Sequence, residues 1–334
     1  MSKPKALVTA AFNKEGIDYL RKRYDVTYCS WMDRGKQYTE EELLPMVKDK
    51  ELIVMETDPF SKQVADAAKN LKVLACCRGM KGNDGTIDLD TLNARKIPVL
   101  FAPGRNTNAV AEHTILMTLA LLKKVKATTT WLYSNQWKNW LDFYLTFRTA
   151  EIRGKTIGLM GFGQIGQRVS ELFNAFDAHV IAYDAYLTDP SIYEKKKVQM
   201  VDKETLFKSS DVVSLHMNVS DTNKGCVGRE ELSLMKPTAY IVNCSRAVLI
   251  DHDALLDAIK EKKIAGVGMD VFYKEPCTTE NEPLLAFESV FAMPHMGGST
   301  NDVIDNQSKM VIHDLNALEE HKQPQYILNP EVLK

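Results

Sequence analysis

A chain of 334 residues is longer than one hydrophobic core usually serves, so two domains are expected. Hydrophobic residues make up 45% of it and charged residues 26%, which is the composition of a folded protein and excludes general disorder. The formal net charge of −2 gives no electrostatic reason to expect nucleic acid or an anionic membrane as a partner.

The apolar segments and the cysteines of the sequence indicate the compartment in which the protein is expected. The longest apolar stretch, residues 115–122, is far shorter than the roughly 20 residues that cross a bilayer, and the N-terminus MSKPKALVTA has no secretory apolar region. A cytoplasmic location is therefore expected. The six cysteines form no CxxC pair and no zinc-like spacing with histidine, so reduced thiols and no metal site are expected.

The first part of the chain alternates short apolar runs with segments of helical periodicity such as SKQVADAAKNL (61–71). This rhythm predicts a parallel sheet that is covered by helices on both faces. The predicted strands are ALVTA (6–10), ELIVM (51–55), KVLACC (72–77) and PVLF (98–101).

A second series of the same kind follows, again with helical segments between the apolar runs. Two doubly wound α/β units are the simplest interpretation of the two series. The predicted strands of the second unit are KTIGLMGFG (155–163), HVIAYD (179–184), DVVSLH (211–216), AYIVNCS (239–245), IAGVGMD (264–270) and SVFAMPH (289–295).

Helix breakers indicate where the two units join. Pro103 and Gly104 precede a long helix that is predicted to run to about Lys126. The sequence GGST precedes a second long helical stretch, NDVIDNQSKMVIHDLNALEEH, which is long enough to return to the first unit. The predicted domains are residues 1–103 with 300–334, and residues 104–299.

The motif GFGQIG directly follows a predicted strand and directly precedes the helix-like QRVSELFNAF. Its first glycine permits a tight turn, the second lets the backbone approach a pyrophosphate, and the third lets helix and strand pack closely. The helix N-terminus adds N–H donors and the positive end of a dipole. A glycine turn without a ligand is the alternative, but the context favours a dinucleotide held by Gly161, Gly163 and Gly166.

An acid ends the next strand. Asp184 comes 18 residues after Gly166, where a carboxylate accepts hydrogen bonds from an adenosine ribose and repels a 2′-phosphate. The sequence therefore predicts NAD rather than NADP as the cofactor.

Three functional side chains follow later strands of the second unit. Arg246 follows AYIVNCS, Glu275 lies in DVFYKEP just after IAGVGMD, and His295 ends SVFAMPH. Ligands of an open parallel sheet lie beyond the carboxyl ends of its strands, so all three are expected at the edge that holds the dinucleotide. Taken singly, they could be a surface salt bridge, an exposed loop acid and a solvated imidazole. Together they indicate a catalytic site.

Several motifs, in their order and spacing, carry a resemblance that covers nearly the whole chain: PGRNTNAVAE, IRGKTIGLMGFGQIG, AYD, VNCSRAVLID, DVFYKEP and MPHMGGST. The sequence resembles the D-isomer-specific 2-hydroxyacid dehydrogenase family, which includes phosphoglycerate, glycerate and D-lactate dehydrogenases and related formate dehydrogenases. The resemblance implies a flavodoxin-like substrate-binding domain from both chain termini, an inserted Rossmann NAD-binding domain, and an active-site cleft between them.

The resemblance also implies roles for the three side chains. Arg246 corresponds to the arginine that holds the substrate carboxylate and carbonyl, a task that suits a planar bidentate donor. His295 corresponds to the general acid/base and Glu275 to its carboxylate partner; an adjacent anion favours a protonated imidazole, which suits reduction. Hydride then passes directly to or from the nicotinamide ring.

Further cofactor contacts are implied along the glycine turn and after the strands that follow it. Packing in the core is the alternative for one of them, Cys244. The implied contacts are Gly161, Gly163, Gln164, Ile165, Gly166, Asp184, His216, Met217, Cys244, Ser245, Arg246, Asp270, His295 and Gly297.

The loop CRGMKGND (77–84) matches the segment that meets the substrate carboxylate in this family. Met80 and Lys81 therefore join Arg246 as expected substrate contacts, and exposure to solvent is the alternative for Lys81. Both residues occupy positions that are often small or neutral in the family, so the identity of the 2-keto acid stays open.

An aromatic cluster follows the first long helix. Such clusters suit a protein interface, and the family typically dimerises through this region, so a homodimer is expected. A place in the core of the chain is the alternative. The cluster comprises Trp131, Trp137, Trp140, Tyr133, Phe143 and Tyr144.

The expected activity is transfer of a hydride between NAD and a D-2-hydroxy acid or its 2-keto acid, with a small molecule as the substrate and no nucleic acid or membrane as a partner. Two alternatives stay open, because fold does not fix function. One is an NAD-sensing binding protein of the corepressor type on the same fold. The other is a same-fold enzyme that acts on formate, phosphite or a sugar acid.

Overall fold

A computed structural model describes residues 2–79 and 86–334. The chain forms two compact units, Met1–Asn106 with Thr300–Lys334 and Thr107–Ser299. The second unit is therefore an insertion in the first, and the chain crosses between them twice.

The first unit contains a five-stranded sheet in the order β2-β1-β3-β4-β5, and all of its strand pairs are parallel. This is the flavodoxin-like order. Its elements are β1 Lys5–Val8, α1 Lys14–Arg23, β2 Asp25–Tyr28, α2 Trp31–Arg34, α3 Glu40–Val47, β3 Leu52–Met55, α4 Lys62–Ala67, β4 Val73–Cys76, α5 Leu89–Ala94 and β5 Val99–Phe101.

Successive side chains of these strands enter two different cores. Leu7 and Ile53 pack on one face of the sheet, whereas Val8 and Val54 pack on the other. Because both faces are covered, a strand has no polar side, which explains the uninterrupted apolar runs of the sequence.

The second unit contains a seven-stranded parallel sheet in the order β12-β11-β10-β9-β6-β7-β8. Its elements are α6 Thr107–Leu122, α7 Val125–Tyr133, α8 Asp142–Thr146, β6 Thr156–Met160, α9 Gln164–Ala175, β7 His179–Tyr183, α10 Pro190–Glu194, β8 Gln199–Met200, α11 Lys203–Ser209, β9 Val212–Leu215, α12 Arg229–Leu234, β10 Tyr240–Asn243, α13 His252–Lys260, β11 Gly266–Met269 and β12 Val290–Ala292. Short 3₁₀ turns lie at Ala247–Leu249 and Pro283–Ala286.

This order is the Rossmann arrangement with one additional strand. The chain builds β6, β7 and β8 outward in one direction and then returns to place β9 on the other side of β6. The order of the strands thus reverses between β6 and β9, and such a point opens a crevice at the carboxyl edge of the sheet. The predicted fold class, two doubly wound α/β units, is confirmed.

The C-terminal segment completes the first unit. Helix α14, Asn301–Glu319, begins at Thr300, whose side chain accepts a hydrogen bond from the Val303 N–H. Its residues Val311 and Leu315 enter the core beneath β1. The tail then follows the edge strand β5, where the Leu328 N–H donates to the Val99 carbonyl, and a last 3₁₀ turn spans Pro330–Leu333.

Some predicted boundaries were wrong. Helix α6 ends at Leu122 rather than near Lys126, because Lys124 adopts a left-handed conformation (φ 54°) before α7 begins. Strands β2 and β8 were missed. Both are short, partly exposed edge strands without an apolar run, so their sequences resemble loops. Among the described residues, no helix combines the length and apolarity needed to cross a membrane.

Candidate active site

The turn after β6 needs glycine at two of its three glycine positions. Gly161 has φ 98°, and a Cβ there would lie 2.8 Å from the backbone of His216. A Cβ at Gly166 would lie 2.4 Å from the Gly161 carbonyl oxygen. Gly163 differs, because a Cβ at this position would have no atom of the described chain within 4 Å. The turn therefore leaves open space beside Gly163, which fits the close approach of a pyrophosphate.

Helix α9 begins at this open space. Gly163 is its N-cap residue and offers no side chain to cap the first turn. The N–H groups of Gln164 and Ile165 belong to that first turn, where a helix leaves its donors without internal partners. Such donors and the positive end of the helix dipole suit an anionic phosphate.

Asp184 fastens the end of β7 to the glycine turn. Its Oδ2 accepts the Phe162 N–H at 2.8 Å, and its Oδ1 accepts the Tyr186 N–H at 2.9 Å. An ionised carboxylate has about four acceptor positions, so capacity for ribose hydroxyls remains. A cleft of about 550 Å³ lies beside it, lined by Tyr183, Asp184, Leu187, Tyr193, Gln199, Met200, Val201, Asp202 and Thr205.

His216 and Met217 follow β9 and line the glycine turn. His216 Nε2 lies 2.9 Å from Ser214 Oγ, while its Nδ1 is buried and has no hydrogen-bond partner within the described chain. Burial lowers the pKa of His216 to about 3, so its imidazole is neutral at physiological pH. Met217 Cγ would lie 2.8 Å from a Cβ at Gly161. Both residues therefore close the crevice beside the turn without adding charge.

Arg246 is an exposed residue just beyond β10, and its Nη1 donates to the Ser245 carbonyl at 2.7 Å. Ser245 Oγ donates to the Leu215 carbonyl at 2.7 Å, which ties this tip to β9. Asn243, the last residue of β10, accepts the Ser245 N–H at 3.0 Å and donates to the Arg246 carbonyl at 2.9 Å. The backbone that presents the guanidinium is thus held from both sides.

Cys244 points into the core. Its side chain is buried among apolar residues of the second unit, and burial raises the pKa of its thiol to about 12. The thiol is therefore protonated at neutral pH and unreactive as a nucleophile. This environment supports the alternative of packing for Cys244.

Asp270, at the end of β11, holds the turn that carries His295. Its Oδ1 accepts the Met296 N–H at 2.8 Å, and its Oδ2 accepts the Gly297 N–H at 2.8 Å. The carboxylate is almost completely buried, and His113 Nε2 on α6 approaches its Oδ1 at 3.0 Å. Through its two hydrogen bonds, the buried acid thus connects the end of β11 to the turn after β12.

His295 and Glu275 form a pair at the tips of β12 and β11. His295 Nδ1 lies 2.8 Å from Glu275 Oε2 and 3.1 Å from Oε1, and the Phe272 N–H donates to Oε1 at 3.1 Å. An ionised carboxylate only accepts, so in this pair Nδ1 carries the hydrogen. His295 has φ 55° and is about half exposed, as is Glu275 (49% and 40% of the side chains).

The structure brings most of the predicted residues to one edge of one sheet. Arg246, Glu275 and His295 follow the neighbouring strands β10, β11 and β12, and the glycine turn follows β6 at the same edge. Asn243 and His113 were missed by sequence reasoning. An asparagine at the end of the apolar run AYIVN was the available signal for Asn243; the contact of His113 depends on packing that no local pattern shows.

Met80 and Lys81 fall outside the described residues. Arg105, the arginine of the motif PGRNTNAVAE, is from the sequence an open candidate for a contact with the cleft or the cofactor, with helix entry as the alternative. It lies in the first unit, where its Nη1 donates to Glu56 Oε1 at 2.7 Å and to Gln307 Oε1 of α14. No group of three or more His, Cys, Asp or Glu side chains in the described ranges is arranged to hold a metal ion.

The aromatic cluster after α6 is exposed in the single chain. Its rings contact one another, as in the Trp140–Tyr144 pair at 5.6 Å, but Tyr133 is 83% and Trp140 65% exposed. The alternative of a place in the core is therefore wrong for these two rings.

Comparison with known proteins defines the class. A family model for the NAD-binding domain of D-isomer specific 2-hydroxyacid dehydrogenases matches residues 115–297. YoaD of Bacillus subtilis (strain 168), which is named as a 2-hydroxyacid dehydrogenase, is 37% identical over 305 residues, 90% of this chain and 86% of its own. The glyoxylate reductase of Thermofilum pendens is 33% identical over 336 residues, 100% of this chain and 97% of its own.

A solved structure agrees with these relatives. The apo-structure of D-lactate dehydrogenase from Escherichia coli has a TM-score of 0.77 and 25% identity, covering 97% of this chain and 99% of that one. The chain belongs to the D-isomer specific 2-hydroxyacid dehydrogenase family, and its second unit contains the NAD-binding domain of that family.

Gly163→Ala tests the open space at the glycine turn. Gly163 has φ −70°, which alanine adopts, so we expect a free energy of unfolding within about 0.5 kcal/mol of the parent protein. The added methyl group occupies the space that a pyrophosphate needs, so we expect NADH to bind at least about tenfold more weakly. Chemical denaturation and NADH fluorescence titration measure the two quantities.

Gly228→Ala is the matched control, since Gly228 is also the N-cap of a helix and has only distant neighbours at 3.7 Å. It should leave NADH affinity unchanged. Equal NADH affinity in the Gly163→Ala protein would contradict the assignment of this space to the cofactor.

Proposed function

We propose that this protein is an NAD-dependent oxidoreductase that transfers a hydride between the nicotinamide and a D-2-hydroxy acid or its 2-keto acid. The observation that supports this most is the His295–Glu275 pair, with a nitrogen-to-oxygen distance of 2.8 Å, one strand away from the tip that carries Arg246. Reduction of a 2-keto acid requires a cation that binds the carboxylate and a donor that protonates the carbonyl oxygen, and both lie at the cofactor edge of the sheet.

Arg246 is proposed to bind the substrate. Its guanidinium presents donors in a fixed fork, which matches a carboxylate and the neighbouring carbonyl oxygen of a 2-keto acid. The positive charge also stabilises the negative charge that develops on this oxygen during reduction. Asn243 holds the backbone of Arg246, and the Ser245 carbonyl accepts a hydrogen bond from Nη1 of the guanidinium, so both contacts restrict the fork before substrate binds.

His295 is proposed as the general acid/base. In reduction, Nε2 donates a proton to the carbonyl oxygen; in oxidation, it accepts the hydroxyl proton. Glu275 keeps the hydrogen on Nδ1, so Nε2 faces the reacting oxygen, and its charge balances that of the ring when both nitrogens are protonated. The bound nicotinamide supplies or accepts the hydride.

The cofactor is proposed to lie along the edge from Asp184 to Gly297. The N–H groups of Gln164 and Ile165 would meet the pyrophosphate, Asp184 the ribose, and His216 and Met217 the wall beside the glycine turn. Asp270 is proposed to act mainly by holding Met296 and Gly297, because its carboxylate accepts their N–H groups and is almost completely buried.

The substrate class is proposed to be small 2-keto acids, with Met80, Lys81 and Arg246 as contacts. Glyoxylate is the first candidate, because the relative from Thermofilum pendens carries the name glyoxylate reductase and aligns with the whole chain. We also propose a homodimer, for which the exposed rings of the aromatic cluster after α6 offer an apolar surface.

The direct test is NADH oxidation with a panel of 2-keto acids: glyoxylate, hydroxypyruvate, pyruvate, and branched-chain and sugar-derived acids. His295→Asn should lower turnover by about 10² to 10⁴ and leave NADH affinity largely intact, because the proton donor is lost while the other cofactor contacts are kept. Asparagine tolerates the left-handed backbone of His295 (φ 55°), so the turn should survive.

His321→Asn provides the matched control, since His321 has the same φ of 55° and lies after α14 in the first unit. It should retain full turnover. An unchanged rate in His295→Asn would remove His295 from the mechanism, and a parent protein that binds NADH but reduces none of the acids would favour the binding-protein alternative.

Asp184→Asn tests the preference for NAD. Removal of the charge lifts the repulsion of a 2′-phosphate and weakens the acceptor for ribose hydroxyls, while the amide oxygen can still accept one backbone N–H. We expect the ratio of NADH to NADPH affinity to fall by about tenfold or more in fluorescence titrations.

Asp189→Asn, at the N-cap of α10, removes a charge nearby without touching the end of β7 and should leave that ratio unchanged. A constant ratio in Asp184→Asn would show that the ribose contact lies elsewhere.

A further inference from the structure

The loop that carries Glu275 is fastened at two points to the segment that follows Arg246. Near its start, the Tyr273 hydroxyl donates to the Ile250 carbonyl at 2.5 Å. At its far end, Glu282 Oε1 lies 2.9 Å from His252 Nε2. Ile250 and His252 come just after the 3₁₀ turn that Arg246 precedes, so the loop after β11 is tied to the loop after β10.

The His252–Glu282 contact supports the hydrogen bond of Tyr273, because His252 packs against the Tyr273 ring. The ring of Tyr273 packs edge-on against the ring of His252, with centroids 4.8 Å apart and an interplanar angle of 80°. Glu282 is almost completely buried and also accepts the Leu284 N–H at 3.2 Å, which fixes the imidazole that contacts Tyr273. Burial raises the pKa of Tyr273, so its hydroxyl remains a donor at neutral pH.

Glu275 itself has little independent support. Besides His295, its carboxylate accepts the Phe272 N–H, which belongs to the same loop. The carboxylate is 40% exposed, so packing alone does not fix it. Its position relative to His295 therefore depends on where the loop lies, and Tyr273, two residues away, fixes the loop.

We propose that Tyr273 is a positioning residue for the Glu275–His295 pair, acting through its hydrogen bond to Ile250. The proposal rests on the proposed function and adds to it a residue that acts through Glu275. The same hydrogen bond holds the loop after β11 next to the loop that bears Arg246. Tyr273 therefore helps to align His295, the proposed proton donor, with Arg246, the proposed carboxylate ligand.

Tyr273→Phe should lower kcat by about three- to tenfold and leave the NADH dissociation constant unchanged, since one hydrogen bond is lost at a site remote from the cofactor contacts. The loss should be absent when Glu275→Gln is already present, because Tyr273 acts through Glu275. A double-mutant cycle of kcat measures this coupling.

Tyr38→Phe is the matched control. The Tyr38 hydroxyl also donates to a backbone carbonyl, that of Cys29 at 2.9 Å, but it lies in the first unit. It should leave kcat unchanged in both backgrounds. Equal losses from Tyr273→Phe with and without Glu275→Gln, or no loss at all, would overturn the proposal.

A second measurement separates this proposal from the proposed function. The ¹⁵N resonance of His295 Nδ1, identified by its loss in His295→Asn, reports the contact with Glu275 whether or not any acid is reduced. It should move in Tyr273→Phe and stay in place in Tyr38→Phe. An unmoved resonance in Tyr273→Phe would refute the role of Tyr273, while absence of turnover in the parent protein would refute the proposed function alone.

Discussion

The candidate site depends on the hydrogen bonds that the buried carboxylate of Asp270 accepts from the turn after β12. Asp270 ends β11, and its two oxygens accept the N–H groups of Met296 and Gly297, so the turn after β12 is fixed to the neighbouring strand. A buried carboxylate is costly unless it is hydrogen-bonded, which makes this arrangement specific: any turn that did not present two N–H groups would leave the charge unsatisfied. His295, directly before Met296, is placed as a consequence. Its left-handed backbone is a strained conformation that persists only when the surroundings hold it, and Asp270 supplies that constraint.

The same principle recurs along the sheet edge. Asp184 fixes the glycine turn to β7, Asn243 fixes the tip that bears Arg246, and Tyr273 fixes the loop that bears Glu275. In each case a polar side chain near a strand end forms a hydrogen bond with the backbone of its own loop or of a neighbouring loop. The parallel sheet delivers the loops to one edge, and these contacts decide the orientation of the side chains that the loops carry. A rigid scaffold with polar struts is the arrangement that preorganised chemistry requires.

Much of the fold follows from local patterns in the sequence. Uninterrupted apolar runs indicate strands that are buried on both faces. In GFGQIG, a Cβ at Gly166 would meet the Gly161 carbonyl oxygen of the same turn, whereas a Cβ at Gly161 would meet the backbone of His216 after β9. The edge strands β2 and β8 lack that signal because they are half exposed, and the left-handed Lys124 ends a helix without a glycine or proline to announce it. At the site, the number of residues between Glu275 and His295 does not predict how close they lie in space. Their contact depends on β11 and β12 being neighbours in the sheet. The contact of Tyr273 with Ile250 depends on tertiary packing, so no local pattern singles out this residue. Asn243 contacts its own loop, and its place at the end of an apolar run was the only signal for it.

We propose direct hydride transfer to a 2-keto acid at the carboxyl edge of the second unit's sheet. The most direct measurement uses NADH that carries deuterium at one or the other C4 position, with glyoxylate, pyruvate or the best acid of the panel as the acceptor. The account predicts that one of the two labelled cofactors delivers its deuterium to C2 of the 2-hydroxy acid, and that a chiral product has the D configuration. Deuterium that appears in neither product, or a product of the L configuration, would contradict the account.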